Sequence, residues 1–153
     1  MTLGSSASSV TFSSIPATYR DLVLVVNATL PSEGVPRVRL NGDSGTNYSY
    51  VTMLGSSSGA QSFNASTDTF VRLGQTGTGF SGNQFIGIAQ FMDYSATDKH
   101  TTVLIRNGDD SVRAVAATAN RWANTAAVNQ IEVFASANTF AAGSTFNLFG
   151  IAS

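Results

Sequence analysis

The stretch QFIGIAQF, residues Gln84–Phe91, decides the fold class of this chain. Its alternation places Phe85, Ala89 and Phe91 on one face of an extended segment and two isoleucines on the other. Successive side chains of a β-strand point to opposite faces, so a period of two residues is the pattern of a strand. We therefore expect a strand here, and the runs on either side repeat the pattern.

The next two runs predict a β-hairpin. Thr101–Arg106 and Ser111–Thr118 both read as strands, and the pair Asn107-Gly108 lies between them. Asn-Gly between two alternating runs is a strong hairpin signal, because both residues tolerate positive φ angles. We expect the hairpin turn at this pair.

Seven further runs read as strands. They are Val10–Ser14, Asp21–Asn27, Pro36–Leu40, Tyr48–Leu54, Thr69–Leu73, Gln130–Ala135 and Thr145–Ile151. The second of these, DLVLVVN, is almost continuously apolar, which predicts a strand buried on both faces. Because Gly, Ser and Asn punctuate the runs, we expect an all-β antiparallel sandwich or barrel of about 8–10 strands.

The remaining segments set the domain organisation. Gly55–Gly59 and Gly74–Gly82 predict loops at the ends or edge of the sandwich. Ala114–Ala127 is ambiguous, since alanine favours helix, and we expect a strand followed by a loop around Trp122. With 153 residues the chain has the size of one domain. We expect an extended N-terminal arm over residues 1–9, held by its own domain or by a neighbouring subunit, and a single β-sandwich domain over residues 10–153.

Composition excludes several function classes. Only 11% of residues are charged, and the net charge is −1. This argues against nucleic acid, which needs clustered Lys and Arg, and against a membrane surface or span. We find no signal-peptide pattern in the first residues, and the absence of Cys excludes thiolate catalysis and Cys-zinc sites. A surface of Ser, Thr, Asn, Ala and Gly favours close association with other protein.

The triplet Asn-Gly-Asp occurs twice, at Asn41–Asp43 and Asn107–Asp109. Oxygen-rich loops of this kind bind Ca²⁺, and the candidate ligands are Asp43, Asn47, Asp109 and Asp110. Neither copy is followed by the bidentate Glu that closes an EF-hand loop. Asn and Gly tolerate positive φ, and Asp closes turns through its own side chain. We therefore favour turns over metal sites and predict no cofactor.

Catalytic patterns are absent from the sequence. His100 is the only histidine, and we expect it in a surface turn. No G-x-S-x-G, H-E-x-x-H or P-loop occurs, so we expect no enzymatic activity. Tyr48, Tyr50 and Trp122 would suit a glycan-binding site if their rings were exposed for stacking. The alternative, favoured by ten Phe against one Trp, is packing in the core or an interface.

Four segments, in this order, resemble small structural proteins of tailed bacteriophages. They are SSVTFSSIPATYRDLVLVV (Ser8–Val26), RLNGDSGTNYSY (Arg39–Tyr50), RWANTAAVNQIEVF (Arg121–Phe134) and NTFAAGSTFNLFGI (Asn138–Ile151). The resemblance implies a jelly-roll-like β-sandwich that decorates or cements a capsid, or a domain of a tail or fibre protein. A virion protein of this kind works by packing and needs no catalytic residues.

The chain has no coiled-coil or collagen-like segment, as a fibre shaft would need. The resemblance therefore implies a non-enzymatic decoration or cement protein on the outer capsid surface, rather than a tail protein. It would bind the major capsid protein or other virion proteins as a homo-oligomer, with a trimer favoured over a dimer. The interface candidates are Met1, Thr2 and Leu3 in the arm, and Phe140 in an apolar loop. The alternative is a tail- or fibre-associated receptor-binding module that recognises glycans.

Overall fold

The chain folds into two antiparallel β-sheets that form a sandwich. A computed structural model describes residues 1–30, 34–74, 84–109 and 114–152. Its strands are β1 (Ser9–Phe12), β2 (Asp21–Thr29), β3 (Pro36–Leu40), β4 (Tyr48–Ser56), β5 (Gly59–Asp68), β6 (Val71–Arg72), β7 (Gln84–Met92), β8 (Thr101–Asp109), β9 (Ala114–Trp122), β10 (Ile131–Ala135) and β11 (Thr145–Ile151). In these parts of the chain no helix is long and apolar enough to cross a membrane.

The strand order is jelly-roll-like. The smaller sheet has the order β1-β10-β3-β6, and the larger has the order β11-β2-β7-β8-β9-β4-β5. The chain passes to the opposite sheet after every strand, except within the hairpin β4–β5 and the meander β7–β8–β9. A jelly roll is built from eight strands in two sheets. Here the meander takes the place of one strand, and β11 extends one edge of the larger sheet.

The core lies between the sheets and follows the alternation seen in the sequence. Phe85, Ala89 and Phe91 of β7 are buried, as the stretch QFIGIAQF predicts. The facing residues of β2, Leu22 and Leu24, are buried on the same side. Each fully buried side chain of this kind contributes about 1.5–3 kcal/mol through the hydrophobic effect.

One strand differs from its predicted burial. Every second residue of β2 is buried, but Val23 and Val25 are only half-buried. They point away from the core, toward the outer side of the larger sheet. The prediction that this strand is covered on both faces is therefore wrong, because no layer covers that side in the part of the chain that the structure describes.

The hairpin β8–β9 is confirmed, but its turn is not where the sequence places it. Asn107 and Gly108 lie inside β8, opposite Ala116 and Val115. The side chain of Asn107 is buried and donates a hydrogen bond to the carbonyl of Leu73. This tertiary contact overrides the turn preference of Asn-Gly, and the connection falls on residues 110–113, outside the described part.

Two other loop predictions are wrong. β4 continues to Ser56, and Gly59, with a φ of 108°, begins the edge strand β5. β5 is mostly exposed, so it has no apolar alternation that would mark it in the sequence. β9 extends to Trp122, which therefore ends a strand instead of lying in a loop. Of the predicted loop Gly74–Gly82, residues 75–82 lie outside the described part.

The N-terminal arm is bound to its own domain. The amide of Leu3 donates to the carbonyl of Ser144 at 2.9 Å, and the amide of Phe146 donates to the carbonyl of Met1 at 2.8 Å. Farther along, Ala7 forms a β-bridge with Phe140. The arm thus runs from the edge of β11 to the start of β1, and backbone groups of Met1, Leu3 and Ala7 bond within the molecule.

Phe140 is part of the core and not of an interface. Its side chain is fully buried, and its ring lies edge-to-face against Phe146 with 4.9 Å between the centroids. The prediction that Phe140 contacts another subunit is therefore wrong. Met1 and Thr2 remain exposed at the surface, and Leu3 is half-buried against the core.

Candidate functional site

The loop between β3 and β4 is a tightly bonded turn. Asn41 and Gly42 have φ angles of 51° and 70°, as an Asn-Gly turn requires. The side-chain oxygen of Asn41 accepts hydrogen bonds from the amides of Asn129 and Gln130 at 2.9 and 3.1 Å. Its side-chain nitrogen donates to the carbonyl of Ala127 at 2.8 Å. The loop therefore fixes the segment that leads into β10.

The carboxylate of Asp43 is surrounded by N–H donors. It accepts hydrogen bonds from the indole N–H of Trp122 at 2.7 Å, from the side chain of Asn47 at 2.9 Å and from the amide of Gly45 at 2.8 Å. Burial would raise the pKa of Asp43, but these hydrogen bonds hold it below the usual value. These N–H donors occupy the positions around the carboxylate that a bound cation would take.

The structure thus replaces the calcium interpretation of the first triplet with a structural one. Both oxygens of Asp43 are already bonded, and Asn47 directs its N–H toward that carboxylate. Asp109 ends β8, where its backbone pairs with Ala114, while Asp110 lies outside the described residues. Within the described ranges no three His, Asp or Glu side chains come together in a way that would hold a metal ion.

The predicted glycan platform is not formed. Tyr48 and Trp122 are each only 1% exposed, and their rings stack on each other at 6.5 Å. The hydroxyl of Tyr48 donates to the carbonyl of Asp43 and accepts from the amide of Leu40, and burial raises its pKa to about 12. Tyr50 is covered by the guanidinium of Arg72 at 4.4 Å. Tyr48 and Trp122 are therefore packing residues, which is the alternative interpretation given above.

His100 lies exposed in the connection that leads into β8. Nearby, Lys99 pairs with Asp93 at 2.9 Å, and both side chains are about half exposed. The described acidic residues are distributed over several turns and strands. They give no geometry from which a catalytic step can be derived.

The outer side of the larger sheet is the most unusual surface of the molecule. Its side chains point away from the core and form what we call the outer face. The apolar members of this face are Val23, Val25, Val51, Met53, Ile86, Ile88, Met92, Leu104, Val115, Ala117, Ala119, Phe149 and Ile151. Met53 is 65% exposed and Val115 is 66% exposed. Large apolar side chains this exposed, and this close together, mark interaction surfaces in soluble proteins.

Strand register makes the outer face continuous. One row across six strands reads Phe149, Val23, Gln90, Leu104, Ala119 and Val51. The adjacent row reads Asn147, Val25, Ile88, Arg106, Ala117 and Met53. The Cβ atoms of directly opposed residues on one face of a sheet lie about 4.5–5.5 Å apart, so these side chains are neighbours along each row.

A groove runs along β9 on this face. Ala117 and Ala119 are small, whereas Leu104 on one side and Met53 on the other stand higher. The resulting groove has a volume of about 480 Å³ and is also lined by Val51 and Ile88. Further hollows continue it past Val115 at one end and toward Arg121 at the other.

Among the described residues, two arginines are the exposed charges of the outer face. Arg106 lies on β8, the middle strand of the seven, and Arg121 lies near the end of β9. Neither has an ion-pair partner among the described residues. Asp21, the one described acidic residue on this side, is buried and bonded to Arg20, to the side chain of Gln90 and to the amide of Asp93.

The size of the outer face can be estimated from sheet geometry. Seven strands about 4.8 Å apart span about 29 Å, and three outward residues on one strand span about 13 Å. The area of this part of the sheet, polar side chains included, is thus on the order of 400 Å², within the range of the largest patches on soluble monomers, which are often functional. It is about half of the roughly 800 Å² per partner of a standard protein interface.

Sequence reasoning missed this face, although a signal was present. Ile86 and Ile88 alternate with the buried phenylalanines and were placed on the opposite side of β7. Val23 and Val25 show the same apolar character in β2. Strands that are apolar on both sides indicate a second partner layer, but sequence periodicity does not tell whether that layer belongs to the same chain.

Comparison with protein-family models gives no match, and comparison with curated proteins gives no significant match. The resemblance to phage structural proteins therefore rests on the four segments quoted above.

Proposed function

We propose that this protein is a non-enzymatic virion structural protein of a bacteriophage. In this role it binds the outer surface of the assembled capsid as an oligomer and stabilises the shell as a decoration or cement protein. The observation that carries the proposal is the outer face, an apolar sheet surface that has no covering layer among the described residues. The four sequence segments that resemble phage structural proteins supply the identity of the particle.

The low charge of the chain supports an assembly role. Only 11% of residues are charged, so neighbouring copies repel each other weakly at close range. The N-terminal arm is bonded to its own domain, so each subunit would arrive at the particle as a finished β-sandwich. Binding then requires little ordering of the chain, which lowers the entropic cost of docking.

Magnitudes favour an oligomer over a single subunit. Burying a face of about 400 Å² gives at most about 10 kcal/mol at about 25 cal/mol per Å² of apolar surface. Loss of translational and rotational freedom costs about 4–15 kcal/mol, so one face alone binds weakly. Copies linked in an oligomer and docked at several equivalent points gain affinity from effective concentration. A protein that binds only the assembled shell stabilises it by mass action.

The experiment compares particles with and without this protein during heating. We expect complete particles to rupture at a higher temperature than particles that lack it, and addition of the purified protein to restore the difference. Equal rupture temperatures would contradict the cement role.

A variant links this effect to the outer face. Val51→Thr/Met53→Thr removes apolar contact and places β-branched threonine at both positions, which suits an exposed strand. Tyr19→Thr is the matched control, because Tyr19 is also exposed but lies in the connection between β1 and β2, outside the outer face. We expect the double variant to fail in restoring rupture temperature and the control to succeed.

A further inference from the structure

We propose that the groove along β9 receives an extended apolar segment of a different protein, and that two carboxylates four residues apart in that segment pair with Arg106 and Arg121. This inference rests on the proposed function, because it uses the same outer face and names the chemistry of its partner.

The groove has the dimensions of an extended segment. Together with the hollows at its two ends it follows β9 over the seven residues from Val115 to Arg121, six steps or about 20 Å at about 3.3 Å per residue. Its floor is made by Ala117 and Ala119, and its walls by larger apolar side chains. Alternate side chains of a segment in this groove would enter the hollow above the alanines, while the others face solvent.

The positions of the two arginines set the spacing of the acidic residues. Arg106 lies opposite Ala117, and Arg121 is four residues farther along β9. Four residues of extended chain span about 13 Å. In a bound strand, residues four apart lie on the same face, so two carboxylates at this spacing reach both guanidinium groups.

Charge argues against a second copy of this chain as the occupant. Arg106 is on the middle strand, so a two-fold axis through the centre of the face would bring two Arg106 side chains together. The described side chains of the outer face include no exposed carboxylate to neutralise them. In addition, no two acidic residues in the whole sequence are four positions apart, so no segment of this chain carries the required pair.

The test uses a peptide probe and the full chain. The probe is acetyl-Val-Thr-Asp-Thr-Val-Thr-Asp-Thr-amide, in which Val and Asp share one face of a strand. The control peptide has Lys in place of both Asp. Amide chemical shifts of the protein are followed during titration to about 1 mM peptide, near the weak-binding limit of a short segment.

We expect shifts confined to β4, β8 and β9 with the Asp peptide and none with the Lys peptide. Arg106→Gln/Arg121→Gln should weaken binding about 2- to 30-fold, the range for two exposed ion pairs. Lys99→Gln removes one positive charge away from the face and should leave the affinity unchanged. Binding of the Asp peptide should also weaken as salt rises.

Other outcomes overturn the inference. Equal binding of both peptides, shifts outside β4, β8 and β9, or no shifts would refute the proposed partner chemistry. Sedimentation that shows dimers of the protein, and monomers for Val51→Thr/Met53→Thr, would assign the face to a second copy. Failure of the peptide test together with face-dependent docking to particles would refute this inference and leave the proposed function standing. If the Asp peptide binds but the protein has no effect on the rupture temperature of particles, the proposed function would be refuted and this inference would stand.

Discussion

Replacement of Asp43 by alanine should destabilise the fold by about 2–3 kcal/mol. The carboxylate holds the loop between β3 and β4 against the end of β9 through three hydrogen bonds. Two of the donors, on Gly45 and Asn47, are exposed and can bond to water in the variant. The indole N–H of Trp122 belongs to a side chain that is 1% exposed, so it would lose its acceptor without replacement.

The magnitude follows from the cost of that orphaned donor. A buried donor left without a partner costs about 1–3 kcal/mol, and a hydrogen bond to a charged group contributes about 1.5–3 kcal/mol. For a domain of this size each kcal/mol lowers the melting temperature by about 2–4 °C. Asp43→Ala should therefore melt about 4–12 °C below the wild type.

The assay is a double-mutant cycle measured by urea unfolding. Trp122→Phe keeps most of the ring but removes the N–H, so in its background Asp43→Ala leaves no orphaned donor. We expect the double variant to be more stable than the sum of the single losses predicts, by about 1–2 kcal/mol. Asp98→Ala, an exposed carboxylate in another turn, serves as the control and should change stability by less than about 0.5 kcal/mol.

An Asp43→Ala variant that loses no more free energy of unfolding than Asp98→Ala would contradict this role of the carboxylate. Additive losses in the double variant would also contradict it, because the Asp43–Trp122 hydrogen bond would then contribute nothing. A rise in melting temperature with added Ca²⁺ that disappears in Asp43→Ala would instead return this loop to the metal interpretation.

Three further predictions concern the core, the pH dependence and the outer face. Phe140→Ala should cost about 3–5 kcal/mol in urea unfolding, the usual loss for a buried phenylalanine; a loss below about 1 kcal/mol would mean that it is not a core residue. Because hydrogen bonds lower the pKa of Asp21 and Asp43 in the folded state, the stability they contribute is complete above about pH 4, the unfolded value, and is lost as pH falls through the folded pKa. Asp43→Asn should make that acid decline in unfolding free energy shallower, and an unchanged slope would contradict the assignment. Val51→Thr/Met53→Thr should retain stability within about 1 kcal/mol, since both residues are exposed, and a larger loss in thermal unfolding would show that the face supports the fold itself.

Much of the fold could be predicted because its strands have one covered face. The alternation in QFIGIAQF gives the orientation of β7 correctly, and the runs around Pro36–Leu40 and Thr145–Ile151 match β3 and β11 at their bounds. β5 could not be predicted, since an exposed edge strand carries no apolar period. The hairpin turn was misplaced because Asn107 forms a buried hydrogen bond across the sandwich, a contact that no local pattern records.

The candidate site was less predictable than the fold. Tyr48 and Trp122 were considered for glycan binding on residue type alone, whereas their burial is decided by the pairing of β4 with β9. The outer face depends on seven strands that come from distant parts of the chain. Its individual residues look like ordinary core residues in the sequence, and only the strand order shows that they share a side against which no described part of the chain packs.

Two of the three methionines of the chain give the most direct test of the central claim, that the outer face is the docking surface. Met53 is 65% exposed on this face, and Met1, in the N-terminal arm, is 54% exposed. Exposed methionine is oxidised to the sulfoxide, so dilute peroxide followed by peptide mass spectrometry reports the accessibility of each. The account predicts that both are oxidised in the free protein, and that on the assembled particle Met53 becomes protected whereas Met1 does not. Equal oxidation of Met53 in the two states would contradict it.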